Sequence, residues 1–576
     1  MQTIIVDHII NELANNNITD YFIVTGGAIA PFVDAVGRSS RTKYYCFQHE
    51  QSAAMAAEGY YRSSGKIAVV LVTSGPGVQN ILNGVCGCWY DSIPCLFISG
   101  QVNMNESLDS LTAKPRQVGF QETPVQEMFS SCTKYSKKIM NVLDVANTFT
   151  SALNSMMHGR KGPVLIDFPV NIQMEKVFEP FTLNISTENI VSNKLSLEHI
   201  IYESSRPLII LGNGARCNDG SLKLWINSLN IPFVTSWAGI DIIEHSNPLY
   251  IGSIGVYGDR IANMCVQNAD LLIILGSRMD TRQTGGNPHL CSTESKKIMV
   301  DIDEEEINKL NQRGFIINYP IISTVEHFIK HNAIEKKECT EWHNTISIWK
   351  NKFGIEPTRK GDIYKIMKNL ELPEKCIIIC DTGATLVWAM QSISIKEGQR
   401  LFSNFGNSSM GYALPAAIGS AIATLGSIPI ICISGDGGIQ MNIQELITVS
   451  SHNFPITILI VNNSGYGIIR QFQDSYFKSR YTATKSEDLF KTDSGIDFVR
   501  IGEAYNIKSI RATTDIIISH NSPLLYDIPI DPAQKIYPKL EFGNSLENMS
   551  PHLPELYKYM IVQHIPPIIQ AGWISK

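Results

Sequence analysis

The sequence predicts an α/β protein of three doubly wound domains with parallel sheets. Short apolar runs alternate along the chain with amphipathic helical patterns, which is typical of strands joined by crossover helices. The apolar runs are continuous, as in parallel strands that helices cover on both faces. With 576 residues, the chain is also too long for a single hydrophobic core. The predicted strands lie at 67–72, 94–98, 164–167, 208–211, 271–275, 377–380, 428–433 and 456–461.

Breaks in composition divide the chain into three units and a tail. A polar, irregular stretch at 178–193 predicts the linker out of the first unit, and a second break falls at 350–359. The tail is rich in proline, and we expect it to be an arm that wraps the last domain. The predicted units are 1–175, 190–345 and 360–540, with the arm at 541–576.

Charge and composition exclude several kinds of partner. The net charge of −6 leaves no basic surface for nucleic acid, and no run of about 18 apolar residues could span a membrane. The N-terminus places Ile5, Ile9, Ile10 and Leu13 at helical spacing, which predicts the first helix of a domain and not a targeting segment. The twelve cysteines form no pair of CxxC motifs, so we expect buried thiols in a cytoplasmic protein without a zinc site.

One segment combines a strand, a glycine-rich turn and a helix. The predicted strand 428–433 leads into Gly435-Asp436-Gly437-Gly438, and a helical pattern follows at 440–450. Backbone N–H groups and the helix dipole at such a turn favour a phosphate. The strand 456–461 ends at Asn462-Asn463, so that Asn463 follows Asp436 by 27 residues. Asp436 and Asn463 thus offer hard oxygen ligands at two strand ends, as Mg²⁺ beside a diphosphate requires.

This motif resembles the signature of the thiamine-diphosphate enzymes, in which GDG is followed by NN. Other segments resemble the acetohydroxyacid synthase (acetolactate synthase) family, in the family's order. They read IVTGGAIAP at 23–31, FQHEQSAAMAAEG at 47–59, VLVTSGPGVQN at 70–80, GPVLIDFP at 162–169 and FGNSSMGYALPAAIG at 405–419. The resemblance implies a pyrimidine-binding first domain, a middle domain of the FAD-binding type and a last domain that binds the diphosphate and Mg²⁺.

The resemblance also implies roles for individual residues around thiamine diphosphate. Glu50 would activate the coenzyme through its pyrimidine ring, and Gly27 would let the backbone approach the reacting carbonyl. Phe120 and Gln121 would line the substrate pocket. Further coenzyme contacts would come from Pro76, Asn80, Ser408, Met410, Gly435, Gly437, Gly438 and Ile468, and the metal ligands from Asp436, Asn463 and Gly465. Met410 would be the apolar wedge beneath the coenzyme, and Ser408 stands where the family commonly has glycine.

Three middle-domain segments resemble flavin-binding segments of the same family. They read LGNGAR at 211–216, GSRMDTR at 276–282 and DIDEEEINK at 301–309. They imply that FAD is bound, in a structural role. The implied FAD contacts are Arg160, Gly212, Gly214, Arg278, Arg282 and Asp301. A flavin-linked pyruvate oxidase, in which FAD accepts electrons, is the alternative from another reaction class.

The implied activity is that of a carboligase, which decarboxylates pyruvate or a similar 2-keto acid and transfers the two-carbon unit to an acceptor carbonyl. Residues 101–117 lack the paired histidines of the superfamily's decarboxylases, and Glu50, which glyoxylate carboligase lacks, is present. Val170 stands at the family's lysine position and Phe472 at its tryptophan, whereas Arg470 is an added cation. These departures favour a CDP-4-keto-dideoxysugar acceptor, as in branched-sugar enzymes of the yersiniose type. A 2-keto acid acceptor, as in acetolactate synthase, is the alternative.

The resemblance further implies how the subunits assemble. In this superfamily the coenzyme lies between the first domain of one subunit and the last domain of its neighbour. We therefore expect Glu50 and Asp436 of one site to come from different chains of a homodimer or homotetramer. Intact Glu50, Asp436 and Asn463 argue against an inactive scaffold. The choice between dimer and tetramer, a regulatory subunit and the acceptor stay open.

Overall fold

Three six-stranded parallel sheets, each flanked by helices, form the framework of the protein. The computed structural model describes residues 4–177, 180–185, 197–217, 219–332, 336–354, 359, 361–489, 495–512, 514–541 and 543–561. Every one of the eight predicted strands is part of a sheet. The fold class predicted from the sequence is therefore confirmed.

The N-terminal sheet has the strands β1 (Asp20–Ile23), β2 (Lys43–Cys46), β3 (Val69–Val72), β4 (Leu96–Gln101), β5 (Tyr135–Lys138) and β6 (Val164–Pro169). Its helices are α1 (Ile5–Asn15), α2 (Ala30–Arg38), α3 (Glu50–Ser64), α4 (Pro76–Asn80), α5 (Leu82–Tyr90), α6 (Val125–Phe129), α7 (Val145–Met157) and α8 (Val170–Gln173). The strand order is β2-β1-β3-β4-β6-β5. Strands β3, β4 and β6 are buried along their whole length, which explains their continuous apolar sequences. The predicted apolar face of α1 is buried.

The middle sheet has the strands β7 (Pro207–Leu211), β8 (Phe233–Thr235), β9 (Tyr250–Ser253), β10 (Leu271–Leu275), β11 (Lys296–Asp301) and β12 (Tyr319–Ile322). Its helices are α9 (Glu198–Glu203), α10 (Ser221–Leu229), α11 (Arg260–Asn268), α12 (Glu304–Gln312), α13 (Val325–His331) and α14 (Thr340–Phe353). The order β12-β11-β10-β7-β8-β9 is that of dinucleotide-binding folds, read from the far edge.

The last sheet has the strands β13 (Ile377–Cys380), β14 (Arg400–Phe402), β15 (Ile430–Gly435), β16 (Ile456–Asn462), β17 (Lys508–Arg511) and β18 (Leu524–Pro529). Its helices are α15 (Asp362–Lys368), α16 (Ala384–Ser392), α17 (Ala413–Ala423), α18 (Asp436–Ile439), α19 (Leu446–Ser451), α20 (Gly467–Tyr476), α21 (Ser486–Leu489) and α22 (Phe498–Ala504). The order β14-β13-β15-β16-β18-β17 repeats the connectivity of the N-terminal sheet.

Each sheet has a point where the strand order reverses, and ligands of such sheets bind beyond the carboxyl ends of the strands at that point. The reversal lies between β1 and β3, between β7 and β10, and between β13 and β15. The segments that follow these strands contain most of the residues singled out in the sequence. The fold therefore gives three candidate ligand clefts.

The first and last sheets are joined through α3 and α17. A Cβ atom on Gly59 would lie 2.3 Å from the carbonyl oxygen of Ala416, and one on Gly419 would lie 1.9 Å from that of Ala56. Glycine at both positions lets the two helix backbones touch. The alanines of both helices share one buried core with β13 and β15.

Two local expectations were wrong. The helical pattern 440–450 is not one helix, because a 3-10 segment, Gln440–Glu445, separates α18 from α19, and Asn442 has φ −136°. The described part of the C-terminal arm packs on the middle domain instead of the last one. The strand β19 (Lys539–Leu540), just before the arm, pairs antiparallel with β20 (Met549–Ser550) in the arm. Leu546, Met549 and Leu556 enter the core beneath α11, and Asn263 donates a hydrogen bond to the Leu546 carbonyl at 3.2 Å.

Other expectations stay predictions. The domain boundaries are not fixed by the sheets, and most of the predicted linker at 178–193, together with residues 562–576 of the arm, lies outside the described residues. All twelve cysteines are free, and nine of them are buried. Among the described helices, none has the length and apolar character to cross a membrane.

Candidate active site

The turn after β15 buries the carboxyl group of Asp436. The backbone N–H groups of Gly437 and Gly465 donate to its two oxygens at 3.0 and 2.8 Å. Burial raises the pKa of Asp436 to about 6, although these hydrogen bonds oppose the rise. A buried carboxylate of this kind is stabilised by a bound cation.

The side chain of Asn463 and the carbonyl group of Gly465 lie beside the carboxyl group of Asp436. The terminal amide atom of the Asn463 side chain lies 2.5 Å from the Gly465 carbonyl oxygen and 3.3 Å from Oδ1 of Asp436. With nitrogen at this position, the amide donates two hydrogen bonds. With oxygen there, three oxygens converge on one point, which is the donor set that a hard cation prefers. The predicted ligands Asp436, Asn463 and Gly465 are therefore brought together.

The turn at Asp436 and the loop from Asn463 to Gly465 are together called the metal loop here, and Arg470 contacts the backbone of this loop. Its Nη2 donates to the Asn463 carbonyl at 2.9 Å, and a Cβ atom on Gly465 would lie 2.8 Å from the same Nη2. Arg470 is not among the residues that line the cavity in front of Asp436. Its guanidinium faces the backbone of the metal loop, and the expectation that this added cation bears on the second substrate stays a prediction.

The cavity in front of Asp436, here called the coenzyme cavity, lies between the middle and last domains. The predicted residues that line it are Ser408, Met410, Gly435, Asp436, Gly437, Gly438, Asn463, Gly465 and Ile468. It is also lined by residues that sequence reasoning missed, namely Trp237, Tyr257, Thr382, Gln471 and Lys539, and by Arg282, which had been assigned to FAD. No local motif connects these residues, since they come from segments far apart in the sequence.

Two residues between β14 and α17 shape this cavity. Ser408 has φ +55°, a left-handed conformation in which glycine is favoured, and its hydroxyl is 2.6 Å from that of Thr382. This explains why the related enzymes commonly have glycine here. The Met410 side chain lies over Gly437, because a Cβ atom there would be 3.4 Å from Met410 Cε. Met410 therefore lies beside the glycine turn, and its role as a wedge stays a prediction.

The first domain contributes a separate group of residues. Glu50 is the first residue of α3, and Asn80 Nδ2 donates to its Oε2 at 2.9 Å. Gly77 lies alongside, where a Cβ atom would be 3.5 Å from Oε1 of Glu50, and Pro76 begins α4. The structure thus brings Glu50, Pro76 and Asn80 together at one end of the N-terminal sheet.

The other first-domain predictions lie in open surroundings. No atom lies within 4 Å of a Cβ atom built on Gly27. Gln121 has φ +64° and packs on Gly75, and Phe120 is 86 % exposed. None of the first-domain predictions lines the coenzyme cavity of the same chain in the part that the structure describes. The first-domain group around Glu50 and the coenzyme cavity are therefore separate in the described part of one chain.

A second cleft opens at the reversal between β7 and β10 and gathers all six residues assigned to FAD. Arg160, Gly212, Gly214, Arg278, Arg282 and Asp301 line it. Arg160 also pairs with Asp303 and Glu306, at 2.8 and 2.7 Å. Burial raises the pKa of Asp301, at the end of β11, to about 6. The buried Ser236 hydroxyl on the same wall has no hydrogen-bond partner among the described residues.

The two clefts share part of their walls. Trp237, Tyr257 and Arg282 line both of them. The Trp237 and Tyr257 rings are stacked, with centroids 6.2 Å apart and an interplanar angle of 17°. A group bound in the second cleft would therefore lie close to the coenzyme cavity.

Comparison with known proteins agrees with this arrangement. Three models of thiamine pyrophosphate enzymes match: the N-terminal binding domain at 5–128, the central domain at 196–331 and the C-terminal binding domain at 381–521. An acetolactate synthase large subunit of Cyanidium caldarium is 31 % identical over 94 % of this chain and 95 % of its own length.

Two further relatives cover the chain to the same extent. The acetolactate synthase isozyme 2 large subunit of Escherichia coli is 29 % identical, over 94 % of this chain and 98 % of its own. A chloroplastic acetolactate synthase of rice is also 29 % identical, over 94 % and 87 %. The chain therefore belongs to the thiamine pyrophosphate (thiamine diphosphate) enzymes, and within them it is an acetolactate synthase-like carboligase.

Proposed function

We propose that this enzyme decarboxylates pyruvate, or a similar 2-keto acid, and joins the remaining two-carbon unit to a second carbonyl compound. The observation that carries the proposal is the meeting of Asp436, Asn463 and the Gly465 carbonyl at one point beside the glycine turn. These oxygens would hold Mg²⁺, and the turn Gly435–Gly438 would lie against the diphosphate of the coenzyme. When bound, thiamine diphosphate supplies the electron sink for the pair left by loss of CO₂.

The chain's own residues would position the coenzyme and hold the proton that activates it. Glu50 would hold the proton that activates the coenzyme, with Asn80 fixing its carboxyl group at 2.9 Å. Met410, whose side chain lies next to Gly437, would support the underside of the coenzyme. The apolar and aromatic wall around Ile468 and Phe472 would keep water from the reacting carbon.

An assay of donor turnover tests the reaction class. Purified protein, stripped of metal and coenzyme, is given pyruvate, and CO₂ release is followed as thiamine diphosphate and Mg²⁺ are added separately and together. We expect release only when both are present. Release that ignores either addition contradicts the proposal.

The acceptor has two candidates. Val170 and Phe472, which replace the family's lysine and tryptophan, favour a CDP-4-keto-dideoxysugar. The likeness to acetolactate synthases over nearly the full length supports a 2-keto acid equally well. Pyruvate offered with both acceptors at once, followed by mass spectrometry of the products, separates a branched sugar from acetolactate. Acetolactate as the only product contradicts the keto-sugar proposal.

FAD fits the second cleft. Asp301, at the end of β11, offers its carboxyl group to a ribose hydroxyl of the cofactor. The Ser236 hydroxyl, which has no hydrogen-bond partner among the described residues, offers a further contact. We assign the flavin a structural role. The shared wall of Trp237 and Tyr257 favours a second candidate, a flavin-linked pyruvate oxidase. When pyruvate is added under anaerobic conditions, the flavin should keep the absorbance of its oxidised form at roughly 450 nm. Bleaching of this absorbance would favour the oxidase.

The proposed assembly follows from the separation of Glu50 from the coenzyme cavity. The coenzyme cavity is lined only by the middle and last domains among the described residues, so Glu50 of another chain would complete it. We propose a homodimer or homotetramer with each site at a subunit interface, located in the cytoplasm. The strongly exposed Phe120, next to Gln121, would be covered in that interface.

A further inference from the structure

A buried lysine that the reaction above does not use lies on the wall of the coenzyme cavity. Lys539, in β19, is only 8 % exposed. Its ammonium group donates to the Ser475 hydroxyl at 2.9 Å and has no carboxylate within ion-pair distance among the described residues. Burial lowers the pKa of Lys539. The charges of Glu541 and Asp474 oppose part of this effect, but neither forms an ion pair with Lys539 among the described residues, so an anion in the cavity would stabilise its charge further.

The position of Lys539 is fixed from two sides. The N–H of Leu540 donates to the Val256 carbonyl at 2.6 Å, which ties β19 to the middle domain. On the other side, the Gln471 side chain of α20 accepts from the Ile536 N–H at 2.8 Å and donates to the Ile536 carbonyl at 2.9 Å. The lysine is therefore held in place at the junction of two domains.

Lys539 lies far from the metal loop along α20. That helix begins at Gly467, where a Cβ atom would lie 2.3 Å from Nδ2 of Asn463. Ser475, which contacts the ammonium group, is eight residues further, or about 12 Å along the helix axis. The ammonium group is thus too far along the cavity to act as a further partner of a diphosphate at the metal.

The cavity around this end is aromatic and positively charged. Phe472, on the preceding turn of α20, and the stacked pair of Trp237 and Tyr257 form its walls. Apart from tyrosines, the ionisable side chains on the described lining are Asp436, Arg282 and Lys539. Since Asp436 belongs to the metal loop, the remainder of the cavity carries two cations and no carboxylate.

We propose that Lys539 binds the anionic group of the acceptor substrate. The inference rests on the proposed function, which requires a second carbonyl compound in this cavity. The shared chemistry is a negatively charged group on the acceptor: the carboxylate next to the carbonyl of a 2-keto acid, or the diphosphate across the sugar ring from the 4-keto group of a sugar nucleotide. The lysine is a specificity residue, and no proton transfer is assigned to it.

A matched pair of acceptors tests this directly. 2-Ketobutyrate and propionaldehyde present the same carbon chain with and without a carboxylate. With pyruvate as donor, kcat/KM for each ligation product is measured in the wild type, Lys539→Met, Lys539→Gln and Lys539→Arg. We expect Met and Gln to lower the ratio of the 2-ketobutyrate value to the propionaldehyde value by about ten- to a hundredfold, and Arg to keep most of it. The Gln variant retains a polar group that can contact Ser475, so it still tests the proposal if the Met variant does not fold.

Lys535→Met is the control. Lys535 is four residues earlier, pairs with Asp474 at 3.0 Å and does not line the coenzyme cavity. The proposal is overturned if both Met and Gln leave the 2-ketobutyrate ratio and the kcat/KM for the sugar nucleotide at their wild-type values, or if Lys535→Met lowers them equally. A second arm repeats the series with a CDP-4-keto-dideoxysugar. Sensitivity to that acceptor assigns the lysine to a diphosphate, and sensitivity to 2-ketobutyrate assigns it to a carboxylate.

The wild type separates failure of this inference from failure of the proposed function. If the wild type releases CO₂ from pyruvate with thiamine diphosphate and Mg²⁺ but the acceptor ratio ignores Lys539, only the lysine assignment falls. If the wild type releases no CO₂ under these conditions, the proposed function itself falls.

Discussion

The carboxyl group of Asp436 is held in a balance of opposing effects. Burial raises its pKa to about 6, while the N–H groups of Gly465 and Gly437 and the nearby Arg470 favour its charged form. A cation bound between this carboxyl group and the oxygens of Asn463 and Gly465 would stabilise its charged form further. The glycine motif is predictable from sequence since it depends on short local spacing. Arg470 acts through the loop backbone, and no motif reveals such a contact.

The same distinction explains what the sequence reveals of the cavity. Met410 and Ser408 are recognisable because they occur in one contiguous block that resembles a known family. Trp237, Tyr257 and Lys539 come from three segments far apart in the sequence, and the packing of β19 against the middle domain brings them to one wall. Their sequence neighbours carry no periodic or spacing signal, so the acceptor side of the cavity could not be predicted.

Glu50→Gln tests the proton-holding role of this residue. Glutamine keeps the shape and can still contact Asn80, but it cannot hold a proton. We expect CO₂ release from pyruvate to fall by about 10²- to 10⁴-fold, with binding of thiamine diphosphate retained. Stopped assays with ¹⁴C-labelled pyruvate and calorimetric coenzyme titration measure the two quantities. Glu127→Gln, an exposed change on α6, is the control and should keep wild-type activity; an unaltered rate in Glu50→Gln would rule out the role.

At the scale of elements, all eight predicted strands are internal and buried, whereas the edge strands and the internal strands β1, β8, β11 and β18 were missed. β13 and β16 are apolar along their length because both of their faces are covered. The edge strands β2 and β17 carry lysine and arginine and are largely exposed, so they show no apolar run. The predicted helix after the glycine turn is broken at Asn442, because its side chain donates to the Gly411 carbonyl at 2.8 Å.

The contact between α3 and α17 makes a prediction about glycine. In an ordinary helix, alanine in place of glycine stabilises by about 0.5–1 kcal/mol. Gly419→Ala should do the opposite and destabilise by about 1–3 kcal/mol through overpacking, because the new Cβ atom would overlap the Ala56 carbonyl oxygen. Gly37→Ala, in α2 with no atom within 4 Å of its Cβ position, is the matched control and should stabilise. Thermal unfolding midpoints measure both; a higher midpoint for Gly419→Ala contradicts the close helix contact.

At the scale of the whole molecule, one buried carboxylate links all three domains. Asp241 of the middle domain accepts from Nε of Arg400 in the last domain at 2.7 Å and also pairs with Arg216. Nη1 of Arg400 in turn donates to the Arg62 carbonyl of the first domain at 2.8 Å. Burial alone would raise the pKa of Asp241, but the two arginines more than offset this effect and lower it to about 2.

The depressed pKa sets a pH window for stability. Because the folded-state pKa of Asp241 is below its ordinary value of 3.8, its stabilisation is complete above that value and is lost as pH falls towards about 2. Asp241→Asn should lower the free energy of unfolding by about 3 kcal/mol at pH 7. The difference in the free energy of unfolding between Asp241→Asn and the wild type should become smaller below about pH 4, which is close to the ordinary pKa of aspartate. Urea unfolding over this pH series checks it. Asp34→Asn, which removes an exposed pair with Arg38, should cost less than about 1 kcal/mol.

The separation of Glu50 from the coenzyme cavity makes a prediction that only an assembly can satisfy. If Glu50 of one chain completes the cavity at Asp436 of another, Glu50→Gln and Asp436→Asn are inactive alone but complement each other. A mixed dimer has one site with both changes and one site with neither, so random pairing should restore about a quarter of the wild-type activity. Co-expression of the two variants with different affinity tags, followed by the CO₂ assay, measures the recovery. Pairing Glu50→Gln with the double variant is the control and should restore nothing, because no intact site can form. An equally inactive mixture of the two single variants would place both groups of a site in one chain.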